Sequence, residues 1–193
     1  MNAPFRLPPD PPAPLLVDAA LYDRMVRAGV FENGPRVELR SGVLVEMNPQ
    51  FVPHAAAKQE LATALRETLR ELTSDLGVLI EVSVALDDLS MPTPDIVVWR
   101  QFDTDGPVPV AAVQLIVEVS VTTIADDLGA KARLYAVAGI AEYWVVDVAA
   151  RVVHLFSHPE KGLFTDRSIA RYGEVVQSAT IAGLQVDTSI LAR

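Results

Sequence analysis

Residues 113–120 read VQLIVEVS and residues 124–138 read IADDLGAKARLYAVA. The first stretch is too apolar and too rich in β-branched residues to be anything but a buried strand, and one acid, Glu118, interrupts it. The second is a helix. At 100° per residue, Ile124, Leu128, Tyr135 and Ala138 fall on one face with Lys131 between them. Burying an unpaired ammonium costs several kcal/mol, so Lys131 either extends to water or meets anions inside the fold. The chain carries three lysines against 13 arginines. A lysine kept in an apolar stripe of such a chain suggests a need for a compact ammonium of adjustable pKa.

The nearest candidate anions are Glu118 and Asp95. Asp95 follows Pro92-Thr93-Pro94, which fixes an extended approach to the apolar run Ile96-Val97-Val98-Trp99, read as a second buried strand. Two carboxylates brought together there repel unless a proton, a lysine or a divalent cation lies between them. Thr122-Thr123 with Asp126-Asp127 caps and charges the start of the Lys131 helix, and Gly139 closes it.

Outward from this centre, residues 16–28 read as a short helix ended by Gly29. Residues 36–40 and 43–47 alternate as two strands joined by Ser41-Gly42, a two-residue hairpin signal. Pro53 starts a helix to about residue 74, with Leu61, Leu65, Thr68 and Leu72 at helical spacing and His54 in line with them in the first turn. Residues 78–86 alternate as one strand, 103–109 form a loop, and 142–148 form another apolar strand. Further strands around 151–157, 168–172 and 184–186 are expected to extend the sheet. No internal repeat or low-complexity tract interrupts the pattern.

With 193 residues, half of them hydrophobic, the chain can bury a full core as one domain, expected over residues 16–193. Residues 1–15 hold prolines at 4, 8, 9, 11, 12 and 14 and read as a flexible, polyproline-like arm without the apolar centre of a signal peptide. No apolar run approaches the roughly 20 residues of a membrane helix. A soluble, cytoplasmic protein is expected, and the absence of cysteine excludes disulfides, thiolate zinc sites and cysteine nucleophiles. The net charge of −9 argues against tight, non-specific nucleic-acid binding through a basic surface. It leaves room for a nucleic-acid enzyme whose positive charge at the scissile phosphate comes from bound divalent ions.

The order helix, three strands, helix, strand, with acids on the second and third strands, resembles the αβββαβ core of the restriction-endonuclease-like PD-(D/E)xK nucleases, and more closely their Uma-type branch of bacterial endonucleases. The likeness spans about residues 35–191. It rests on Val37-Glu38-Leu39 with Gly42, Pro94-Asp95, Val117-Glu118-Val119-Ser120, Asp127-Leu128-Gly129-Ala130-Lys131 through Tyr135, Gly139-Ile140, and Glu142-Tyr143-Trp144-Val145-Val146-Asp147. The implied fold class is α/β, with a mixed central sheet flanked by two helices, an N-terminal β-hairpin and a C-terminal β extension.

The resemblance implies that Asp95 and Glu118 hold Mg2+, with Mn2+ as a possible substitute, and that the backbone carbonyl of Val119 is a third ligand. The superfamily's lysine stands two residues after the glutamate, where this chain has Ser120. In the Uma-type branch its function passes to the following helix, the position of Lys131. His54 also matches a position where the branch often shows histidine, placing it near substrate phosphate or water. The implied activity is Mg2+-dependent hydrolysis of DNA phosphodiester bonds. Two alternatives stand beside it: an inactive nuclease fold acting as a protein or nucleic-acid binding module, and hydrolysis of another phosphate ester. A homodimer that covers a sheet edge is a further expectation.

Each residue also has an ordinary reading. Asp95 could be a turn cap, Glu118 half of a buried structural ion pair, Lys131 a lysine reaching water at the helix edge, and His54 a satisfied core or capping residue. Glu38 and Glu46, on the hairpin, read at least as well as a solvated edge. His154 and His158 have no evident partner. Asp147, at a strand end, reads as structural.

Overall fold

A computed structural model describes residues 14–101 and 103–192. The Pro-rich arm expected over residues 1–15 lies outside these, except for exposed Pro14 and Leu15. In chain order the elements are α1 (Ala19–Arg27), β1 (Val37–Arg40), β2 (Val43–Glu46), α2 (Val52–Glu71), β3 (Leu76–Ile80), β4 (Val84–Ala85), β5 (Ile96–Arg100), β6 (Val108–Pro109) and β7 (Val113–Ser120). They continue with α3 (Ile124–Asp126), a π-helical turn (Asp127–Lys131), α4 (Ala132–Val137), β8 (Glu142–Asp147), β9 (Val152–Glu160), β10 (Leu163–Arg171), β11 (Val175–Gln177) and β12 (Gln185–Asp187). No helix among the described residues is long and apolar enough to cross a membrane.

Six strands form the central sheet in the order β10-β9-β8-β7-β5-β3. Neighbours are antiparallel except β7 and β8, which run parallel because the α3–α4 segment carries the chain back across the sheet. Alternation then assigns the faces. Leu115, Val117 and Val119 of β7 pack with Ile96 and Val98 against Leu61, Leu65 and Leu69 of α2, whereas Ile116 packs with Val97, Tyr143 and Val145 against Tyr135 and Ala136 of α4. The sheet is mixed and covered on both faces, as its continuous apolar strands require.

The β1–β2 hairpin turns through Ser41 at φ 49° and Gly42 at φ 79°, the pair of positive values that a tight two-residue connection needs. It stands apart from the central sheet as a two-stranded unit and bonds to the segment before β5 through Leu39 and Met91.

Three expected elements differ. The single strand over 78–86 is two strands in different sheets: β3 pairs with β5, and β4 pairs in parallel with β6. Glu81 causes the break, because its backbone sits at φ 52° and its N–H donates to the Asp95 carbonyl. The strand at 184–186 does not extend the central sheet; β12 pairs with β11 and contributes Val186 to the core over α2. The apolar stripe of α2 runs through Leu69, leaving Leu72 41% exposed.

The C-terminal extension is fastened by Glu142, a buried carboxylate at the start of β8. It accepts hydrogen bonds from Trp144 Nε1 (2.7 Å), the Ser178 hydroxyl (2.6 Å), the Ala179 and Thr180 N–H groups (3.1 and 3.0 Å) and the Thr180 hydroxyl (2.7 Å). Glu142→Ala would strand the buried Trp144 and Ser178 donors and release the Ala179 and Thr180 donors to water, and we expect a loss of about 2–4 kcal/mol of unfolding free energy. Urea titration measures this; a loss under about 1 kcal/mol would mean that water replaces the carboxylate.

Candidate active site

Ile96 and Val117 are the last pair of the β5–β7 ladder. One step further come Asp95, just before β5, and Glu118, within β7. Both are buried, and both line a cleft of about 370 Å³. The cleft lies between β2 with the loop that follows it and the end of β7 with the turn into α3. His54 and Lys131 also line it, so the four residues expected at the site share one cavity.

Asp95 meets two side chains of α2. Its Oδ2 lies 3.1 Å from His54 Nε2 and accepts the Val119 N–H at 2.8 Å, and its Oδ1 lies 3.6 Å from Lys58 Nζ. Burial alone would raise its pKa, but the His54 contact, the Val119 N–H and Lys58 together hold it below the usual carboxylate range. Lys58 is itself shared, bonding to Glu81 and Gln50 as well. Glu81 binds Arg36 at 3.3 Å, which links this network to the N-terminal hairpin region.

Glu118 has the opposite environment. Its Oε1 accepts the Tyr135 hydroxyl at 2.7 Å and lies 2.9 Å from Lys131 Nζ. Burial pushes its pKa up to about 8; Lys131 opposes the rise, while Asp95, Asp127 and Glu38 add to it. Lys131 is kept charged despite burial by Glu118, Glu38 and Asp127, the last at 3.4 Å. Lys131 thus pairs with Glu118 and Asp127, and no ion pair joins it to Asp95 among the described residues.

The helix geometry explains the Lys131 position. Residues 127–131 form a π-helical turn, whose extra residue widens the helix and turns Asp127 and Lys131 toward β7 together. The Tyr143 hydroxyl donates to the Asp127 carbonyl at 3.0 Å, and Asp127 Oδ2 accepts the Thr123 hydroxyl at 2.6 Å. Ser120, in the superfamily's lysine position, is buried and bonds the Thr123 hydroxyl. It brings no charge to the site.

Glu38 corrects the solvated-edge reading. It is 1% exposed; Arg40 bonds its Oε1, and the Thr93 N–H donates to its Oε2 at 2.9 Å. Arg40 continues to Asp126 at 2.6 Å, which ties the hairpin to α3. Glu46 is exposed and lines the cleft. His154 borders a separate groove with Phe156 and Ile169, and His158 lies 2.9 Å from Asp166 on the exposed β9–β10 hairpin. Asp147 accepts the Ala150 N–H at 2.8 Å and closes the turn after β8, a structural role.

Sequence reasoning passed over Lys58 and the paired role of Asp127. A signal for Lys58 was present: it stands four residues after His54 and three before Leu61, a second scarce lysine in an apolar stripe. Glu38, Glu46, Asp95, Glu118, Asp126 and Asp127 line the cleft against two fixed cations, Arg40 and Lys131. Among the described residues, no three His, Asp or Glu side chains converge into a ready-made metal cage.

A family model described as "Uma2: Putative restriction endonuclease" matches residues 19–189. The fold is similar to the crystal structure of "a putative nuclease belonging to DUF820 from Anabaena variabilis ATCC 29413", with a TM-score of 0.63 and 14% identity over 81% of this chain and 89% of that one. No curated protein matches the chain.

Proposed function

We propose, because the chain belongs to the Uma2 family, that it hydrolyses DNA phosphodiester bonds with a divalent cation, Mg2+ or in its place Mn2+, held by Asp95, Glu118 and the backbone carbonyl of Val119. The observation that carries this reading is the acidic cleft itself. Six carboxylates against two fixed cations would repel a phosphodiester, and burial, with Asp95, Asp127 and Glu38 adding to it, already raises the Glu118 pKa to about 8. A hard cation relieves both repulsions. The oxygen donors suit Mg2+, which is bound through one or two carboxylates while keeping several waters and needs no cage of protein ligands. Val119 directs its N–H to Asp95, and in an extended strand the carbonyl of the same residue leaves on the same side.

When bound, the cation supplies positive charge at the scissile phosphate and acidifies water beside it. The protein groups do the rest. His54 and Lys58 keep Asp95 ionised and oriented, and the Tyr135 hydroxyl fixes Glu118 Oε1. Lys131, held between Glu118 and Asp127, offers an ammonium to the attacking water or to the charge that builds on phosphate oxygens.

The substitution at Ser120 favours a second reading, a binding module without catalysis, and one experiment separates the two. Wild-type protein with millimolar Mg2+ should nick or linearise supercoiled plasmid and should melt higher than without metal. At a concentration one hundred times Kd, the metal adds about 2.7 kcal/mol, which for a chain of this size is about 5–10 °C. Stabilisation by metal with intact plasmid selects the binding module. An unchanged melting temperature with intact plasmid removes the metal site altogether.

A further inference from the structure

Phe51 stands where local physics asks for a different residue. It is the N-cap of the 20-residue helix α2, a position that favours Ser, Thr, Asp or Asn, and it makes no side-chain capping bond. Nor is it buried: Phe51 is 70% exposed, and Val52 beside it is 80% exposed. Exposure alone would be ordinary, but this ring lines the cleft that holds Asp95 and Glu118.

Its place suggests a role. Phe51 lines the cleft together with Met47, Pro49 and exposed Val121, so apolar surface shares the cleft with the carboxylates. The charges at the cleft do not suit a duplex laid across it. Glu46 is exposed, the Asp126 side chain is 40% exposed, and the net charge is −9. Both fixed cations that line the cleft are already engaged, Arg40 by Glu38 and Asp126, Lys131 by Glu118 and Asp127. Duplex affinity comes mainly from phosphates neutralised by lysine and arginine, whereas a single strand can also be held by bases stacked on aromatic rings.

We infer that the cleft takes single-stranded DNA, or the unpaired end of a duplex, with one base stacked on the Phe51 ring and the adjacent phosphate directed to the cation that Asp95 and Glu118 would hold. This rests on the nuclease reading above and adds the form of DNA to it. The stacked base provides attraction that the acidic rim does not.

Fluorescence anisotropy of a labelled oligonucleotide of about 12 nucleotides tests this, with Ca2+ replacing Mg2+ so that binding is read without turnover. Wild-type protein should bind the single strand at least tenfold more tightly than the same sequence as a duplex. Phe51→Ala should lose roughly tenfold or more on the single strand, Phe51→Trp should retain affinity, and the melting temperatures should agree because the side chain is exposed. Equal binding of the single strand by wild type and Phe51→Ala overturns the inference, as does preference for duplex or no binding of either. Cleavage with Mg2+ is scored separately. Phe51-dependent binding without cleavage of any DNA leaves this inference standing and removes the hydrolytic reading; duplex cleavage unaffected by Phe51→Ala does the reverse.

Discussion

Asp95→Asn should lower DNA cleavage by on the order of 10²- to 10³-fold and remove most of the stabilisation that Mg2+ gives the wild-type fold. Of the two acids, Asp95 is the one whose pKa is held down, by His54, Lys58 and the Val119 N–H. An amide can still accept from Val119, but it brings no negative charge to Lys58 and His54, so both lose the carboxylate they meet and Lys58 keeps Glu81 alone. The variant should therefore be less stable than wild type without metal. Glu118→Gln should lose cleavage to a similar extent with the opposite effect on metal-free stability. Glu118 is surrounded by Asp95, Asp127 and Glu38, so removing its charge relieves repulsion at the cost of weakening the hold on Lys131. Thermal melts with and without Mg2+, run beside plasmid cleavage, read both effects. Wild-type cleavage by either variant would mean that its carboxylate is not a metal ligand for the reaction.

That contrast between the two acids was not legible in the sequence, although both positions were. Glu118 was visible because a lone acid in a continuous apolar run has nowhere to go but inside. Asp95 was visible because two prolines fix the backbone before a second such run. The pattern could not say which cation each acid would meet, since His54 and Lys58 reach Asp95 from a helix some 40 residues earlier in the chain. Glu38 was misread for the same reason: a short hairpin strand looks solvated until the Thr93 N–H and the side chain of Arg40 close over its carboxylate. The break at Glu81 is likewise tertiary, because its left-handed backbone accompanies contacts to Lys58, Arg36 and Asp95 that local alternation does not encode. Helical spacing put Lys131 on the inner face correctly but could not foresee the π-helical turn that brings Asp127 beside it.

Lys131→Ala should leave Mg2+ affinity nearly intact while lowering cleavage turnover by roughly 10²-fold or more, the scale of one proton-transfer or charge-stabilising group. The metal donors proposed here are oxygens of Asp95, Glu118 and Val119, so removing the ammonium deletes no ligand. It does remove the group 2.9 Å from Glu118 and 3.4 Å from Asp127, and without metal those buried carboxylates then face one another unpaired. The variant should accordingly be destabilised by about 3–5 kcal/mol in chelator and regain much of that loss in Mg2+, a recovery larger than the wild type's own response to the metal. Lys131→Arg separates charge from shape. A guanidinium restores the counter-charge and hence the metal-free stability, yet it cannot act as a base, and its planar fork does not replace a compact ammonium between two carboxylates. Stability rescued by arginine with cleavage still depressed would mark Lys131 as part of the chemistry. If both variants, confirmed folded in Mg2+, cut DNA at the wild-type rate, Lys131 is a counter-ion for Glu118 and Asp127, and the attacking water takes its help from another group.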